Sequence, residues 1–113
     1  MELLEEKLKC QGWILADGAT GTNYFKKGLE SGAPPEFWST ERPKDVKSLH
    51  SQFLNAGCDL ILTNSFGGTT YRLKLHGAQK RVRELNKAAA EIAKEAVTQH
   101  FEETGEKKIV AGS

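Results

Sequence analysis

Three short stretches hold most of the small polar residues that could do chemistry. They are "ADGATGT" from Ala16, "LTNSFGG" from Leu62 and "AGS" from Ala111. Each directly follows, or completes, an apolar run. Asp17 could pair with an ammonium group, and Thr63, Asn64, Ser65 and Ser113 offer hydroxyl or amide groups. Glycines at positions 18, 21, 67, 68 and 112 would let a ligand come close to backbone N–H groups. Together the set could hold an amino-acid zwitterion, with the ammonium on Asp17 and the carboxylate on N–H and hydroxyl donors. Taken singly, the same residues are ordinary turn formers, because Asp-Gly and Asn-Ser are common loop pairs. The recurrence after all three apolar runs favours the set.

Other chemistry has thinner support. "DGATGT" resembles a phosphate cradle but lacks the lysine of a P-loop and the spacing of a dinucleotide fingerprint. His50, His76 and His100 are scattered, with no metal-binding pattern among them. His50 reads as a helix-face residue and His100 as a helix-end residue favoured by the dipole. Cys10 and Cys58 read as small packing residues. "YRLKLHGAQKRVR" carries five Arg or Lys residues, but acids follow it, so a solvated helix face is the simpler reading than a nucleic-acid patch. Phe37 and Trp38 could line a pocket or simply pack beside Pro34 and Pro35.

The elements that must position these residues follow from spacing. Residues 2–9 predict a short helix with Leu3, Leu4 and Leu8 on one side, closed by Gly12. Residues 13–16 predict a strand buried on both faces. A loop from 17 to 33 could contain a short helix over 23–27. "GAPPEFW" is expected to be extended or turning, since Pro34 and Pro35 oppose helix. A firmer helix starts near Pro43, with Val46, Leu49, Phe53 and Leu54 on one stripe and Gly57 as its stop. A second strand is expected over 59–63, then a turn at Gly67 and Gly68, with Thr69 or Thr70 as a cap. A short helix through Tyr71 and Leu75 should break at Gly77. The strongest helix runs from about Gln79 to His100, with Val82, Leu85, Ala89, Ile92, Ala93 and Ala96 on its apolar face. Gly105 ends it, and 108–111 form a third strand. This alternation predicts an α/β chain with a parallel sheet, whose working residues lie at the C-terminal strand ends.

Bulk properties exclude several classes. The 113 residues are 38% hydrophobic and 27% charged, with a formal charge of +1, which fits a folded domain without a global pull toward nucleic acid or membrane. The first ten residues carry three glutamates, unlike a secretory signal. No apolar run reaches the roughly 20 residues of a membrane helix. Two cysteines give no disulfide framework, so a cytoplasmic location is the expectation. A third strand so near the end of the sequence would leave open edges. The chain therefore reads as an incomplete domain, the opening part of something larger.

"LADGATGT", "PPEFW" with a following helix, "AGCDLILTNSFGGT" and "IVAGS" resemble, in that order, the N-terminal part of homocysteine S-methyltransferases. That family includes betaine–homocysteine methyltransferases and the homocysteine-binding module of cobalamin-dependent methionine synthase. The resemblance runs from about Trp13 to Ser113. It implies that residues 1–113 form the first two βα units and third strand of a (β/α)8 TIM barrel. It also implies zinc-dependent methyl transfer to the homocysteine thiolate, forming methionine, with three zinc-binding cysteines in later strands. Cys10 and Cys58 do not match those positions, so the zinc ligands are expected outside this chain, and the chain alone is expected to be inactive.

Residue by residue, the resemblance places Asp17, Gly18, Thr63 and Ser113 against the homocysteine amino-acid moiety. It puts Ala19, Trp38, Asn64, Phe66 and Gly67 as pocket-lining positions. The implied partners are homocysteine and a methyl donor, either betaine, a methylated sulfur compound or a folate with cobalamin. The missing C-terminal part of the barrel, or further copies of the chain, are also expected partners; nucleic acid and membrane are not. Two alternatives stay open on the residues alone. One is a small α/β module that binds an anion or another chain without catalysis. The other is a structural piece that must associate with a partner half.

Overall fold

Residues 2–113 are described by a computed structural model. Helix α1, Glu2–Gln11, stops where Gly12 turns left-handed at φ 77° and its N–H bonds to the Leu8 carbonyl. None of its residues is buried. Its hold on the body is polar. Lys7 reaches Asp59 at 3.5 Å, and the Gln11 amide donates to the same carboxylate at 2.8 Å.

The expected strand over 13–16 is reduced to one parallel bridge between Ala16 and Leu60. Two backbone bonds support it, from Asp59 N–H to the Leu15 carbonyl at 2.8 Å and from Asp17 N–H to the Leu60 carbonyl at 3.0 Å. The expectation of burial on both faces does not hold, since Trp13 is 58% exposed and Leu15 44%. The run pairs with β1 through this one bridge.

Strands β1, Leu60–Leu62, and β2, Ile109–Ala111, pair in parallel with Leu60 opposite Ile109 and Leu62 opposite Ala111. Because Leu60 also meets Ala16, β1 lies between the other two segments. All three run the same way, so their C-terminal ends gather on one side. Two parallel strands with helices between them are compatible with a piece of a TIM barrel.

Helix α2, Gly21–Lys26, is close to the short helix expected over 23–27. "PPEFW" turns, as expected, but the turn runs on. Pro35–Phe37 forms a 3-10 turn that continues into α3, Trp38–Glu41. Proline at the first helical position costs nothing there, because that N–H has no intrahelical partner in any case. Helix α4, Pro43–Asn55, buries Val46, Leu49 and Leu54 as its stripe predicts, and Gly57 follows at φ 107°. Thr69 caps α5, Thr70–Lys74, its hydroxyl accepting from the Arg72 N–H at 3.2 Å. A 3-10 turn over Gln79–Arg81 leads into α6, Val82–Thr104, which passes the expected end at His100 and stops at Gly105. Nothing in "FEET" breaks a helix, so it runs on until the left-handed glycine.

The core has a simple logic. Ile61, fully buried on β1, packs with Leu54 of α4 and with Ala93 and Ala96 of α6. Alanines on α6 let the long helix lie close to the sheet. A second cluster joins Tyr24, Leu29 and Trp38 to Val46, Leu49 and Ile92. A third, Leu73, Ala78 and Leu85, anchors α5. The helices thus fix the backs of the strands and leave their C-terminal ends to the loops.

Candidate functional site

The strand ends enclose a cavity of about 300 Å3. Asp17 enters it from the end of the Ala16 bridge. Its Oδ2 accepts from the Leu62 N–H at 3.1 Å, so the carboxylate also closes the end of β1. Burial pushes its pKa above the ordinary value, while the Leu62 N–H pulls the other way. Just after it, the N–H groups of Gly18, Ala19 and Thr20 donate no hydrogen bond among the described residues. Gly18 has little room for anything larger, because a Cβ there would lie 3.3 Å from the Phe53 ring.

Thr63 extends β1 by one bond, from its N–H to the Ala111 carbonyl at 2.9 Å. Its hydroxyl accepts from the Ser113 N–H at 3.2 Å and sits 2.6 Å from the Ser65 hydroxyl. Ser65 in turn donates to the Ser113 carbonyl at 3.4 Å. Either hydroxyl can donate in the 2.6 Å contact between Thr63 and Ser65. The ring stitches the ends of β1 and β2 together, and both hydroxyl oxygens keep acceptor capacity.

Asn64 lines the cavity, but its amide N–H groups point to the Pro35 carbonyl at 2.8 Å and the Ser39 hydroxyl at 3.2 Å. It holds the Pro-Pro segment against the strand end. Ala19 and Ser113 lie on the cavity wall, and Phe66, 77% exposed, stands on it as well. Gly67 lines a neighbouring cavity of about 280 Å3 instead. Trp38 is the position that the structure removes from the pocket. Its indole is buried against Tyr24, ring centroids 5.1 Å apart, with the Arg42 guanidinium 4.1 Å over its face. The helical turn that "PPEFW" adopts directs this ring into the core.

Sequence reasoning missed Glu36. It is only 7% exposed, and its Oε2 accepts from the Gly67 N–H at 3.2 Å. It borders both cavities. The available signal was the glycine, not the glutamate. A Cβ on Gly67 would fall 2.8 Å from Glu36 Oε1, so position 67 must be bare for the carboxylate to sit there. Close by, the Tyr24 hydroxyl is buried without a hydrogen-bond partner. Burial, and then the charges of Asp17, Glu36 and Asp45, push its pKa up, so it stays a phenol.

No group of three or more His, Cys, Asp or Glu among the described residues could hold a metal ion. Cys58 is buried, and its thiol donates to the Ala16 carbonyl at 3.4 Å. Burial and the Asp17 charge push its pKa up, away from thiolate character. Cys10 is exposed on α1. No described helix is long and apolar enough to cross a membrane.

Comparison with known proteins gives a consistent result. The family described as homocysteine S-methyltransferase matches residues 14–113. Among solved structures, the chain is similar to the homocysteine methyltransferase MmuM from Escherichia coli. The metallated form superposes with a TM-score of 0.82 at 25% identity, over 97% of this chain and 40% of that one. The oxidized form gives a TM-score of 0.81 at 24% identity, over 97% and 39%. The chain thus spans about two fifths of the length of these relatives.

Proposed function

Because the chain belongs to the homocysteine S-methyltransferase family, we propose that residues 1–113 supply the amino-acid-binding strand ends of an enzyme that methylates homocysteine sulfur. The observation that carries this reading is one cavity holding a partly buried carboxylate, Asp17, beside three successive N–H groups with no hydrogen-bond partner among the described residues. A carboxylate and a row of such N–H donors are complementary to the two charged ends of an amino acid. The ammonium goes to Asp17. The hydroxyl oxygens of Thr63 and Ser65 keep acceptor capacity and suit the same cation. The ligand carboxylate goes to the N–H groups of residues 18–20. Held at both ends, the side chain has one direction left, along which the sulfur is presented.

Activating the sulfur is a separate task. A free thiol has a pKa of roughly 8.5 and is mostly protonated at neutral pH. The described residues do not fit a zinc site: no metal-ligating group forms among them, and the Cys58 thiol donates to a carbonyl. The zinc that the resemblance implies would be held by residues outside these 113, and the chain alone would not turn over. A metallated form of MmuM supports metal use in the complete enzyme.

The test is Asp17→Asn in the full-length enzyme. Homocysteine binding, followed by calorimetry, should weaken about tenfold or more, the scale of losing a charged hydrogen bond. Bound metal should be unchanged. Equal affinity in the two proteins would remove Asp17 from the site.

A further inference from the structure

Gly67 and Gly68 are bare for space rather than for backbone shape. Neither has a positive φ, so the backbone itself does not call for glycine. What excludes a side chain is a polar group that another element brings against each. A Cβ on Gly67 would fall 2.8 Å from Glu36 Oε1, and one on Gly68 would fall 2.6 Å from Asn86 Oδ1 and 3.1 Å from the Ser65 carbonyl. Asn86 stands in the second turn of α6. Its Nδ2 donates to the Gly68 carbonyl at 2.7 Å and to the Val82 carbonyl, one turn back on its own helix, at 2.8 Å. An amide nitrogen has two protons, so both are spent. The Val82 bond orients the amide, and the Gly68 bond ties the turn to the helix. The Gly68 N–H returns to the Ser65 carbonyl at 2.9 Å. The residue that Asn86 grips therefore closes the turn that carries Ser65 and Phe66 on the cavity wall.

We propose that Asn86 is a positioning residue for the amino-acid ligand, acting through Gly68 to hold Ser65 at the strand ends. This rests on the homocysteine-binding reading above. Asn86 does not itself line the cavity. Its grip, across 18 positions of sequence, makes the cavity wall a rigid extension of α6 rather than a free loop. Glu36 secures the same turn from the opposite side through the Gly67 N–H. Released from Asn86, the turn would keep its Glu36 contact but lose its fixed distance from the helix. The Ser65 hydroxyl, which meets both Thr63 and Ser113, would then no longer be held in one place for a ligand ammonium.

The experiment is calorimetric titration of the full-length enzyme with homocysteine, which yields the affinity and the number of sites per chain separately. In Asn86→Ala the affinity should fall about tenfold, with the number of sites unchanged. Gly68→Ala, which pushes the Asn86 amide aside without removing it, should do the same. The two changes break one contact, so the combined variant should be little weaker than either alone. Asn86→Asp keeps the shape of the side chain but removes its donors, and it serves if Asn86→Ala does not fold. Unchanged affinity in the single variants overturns the proposal. Fewer sites at unchanged affinity also overturn it, since that is the mark of a contact that only stabilises the fold. Losses that multiply in the combined variant overturn it too, because Asn86 would then not act through Gly68. If wild type binds no homocysteine, the reading of the site itself fails, and this inference falls with it.

Discussion

Asp17 is under two opposed influences. Burial favours its neutral form, and the Leu62 N–H favours its anion. Burial prevails, so this carboxyl sits above its ordinary pKa. A bound ammonium reverses the balance. Ligand affinity should therefore rise with pH through the titration of Asp17 and level off above it. In Asp17→Asn that acid limb should disappear, as affinities measured from pH 4 to 7 would reveal. His50 gives a stability counterpart. It is buried, its Nε2 has no partner, and burial holds its pKa down to about 4 against an ordinary 6.5. A depressed histidine means that the unfolded chain binds the extra proton. Its effect on stability is absent above pH 6.5 and destabilises progressively as pH falls from 6.5 toward 4. The loss is on the order of 3 kcal/mol. His50→Leu should flatten that part of a pH–denaturation series, and an unchanged slope would count against a neutral buried imidazole.

At the scale of elements, the site depends on how closely the helices seat the strands. Ile61 is the single β1 residue wholly inside, gripped by α4 and α6. Ile61→Ala should cost about 2–5 kcal/mol in urea unfolding. It should also weaken ligand binding, since the strand it anchors carries Thr63 at its end. A loss below 1 kcal/mol would mean that the neighbouring alanines and leucine close over the gap. The elements themselves were largely legible. Glycines 12, 57, 77 and 105 all have positive φ at the predicted stops, because only glycine enters that region without strain. The buried stripes of α4 and α6 follow their 3.6-residue spacing. "PPEFW" turns, as expected, but the turn runs on into a helix, because proline opposes a helix interior and not a first turn. That one local difference sends Trp38 inward and brings Glu36 to the strand ends.

The whole molecule is unevenly covered. Helices protect β1 on one side, but Trp13, Leu15 and Leu62 remain exposed around the sheet, and Leu8 adds to them on α1. Unpaired strand edges with apolar neighbours promote association. The isolated 113-residue chain should sediment as concentration-dependent oligomers. Trp13→Lys with Leu15→Lys should shift it toward monomer. A wild-type chain that stays monomeric at high concentration would show that this surface does not drive association. This is also why the first apolar run does not behave as a buried strand: burial depends on what packs against a segment, and Trp13 and Leu15 are left exposed.

The sequence alone determined the local features. Periodicity places the helices, glycines end them, and apolar runs that stop at Asp17, Thr63 and Ser113 mark where small polar residues accumulate. These depend on neighbours a few positions apart, so they can be read along the chain. Only the tertiary structure decided which of those residues share a cavity and which of their polar atoms are already spent. Thr63, Ser65 and Ser113 close a hydrogen-bonded ring, Asn64 is turned toward Pro35, and Glu36 meets Gly67 across 31 positions. No local pattern records such pairings, because they follow from how the helices stack the strands, and that is fixed by packing between distant segments.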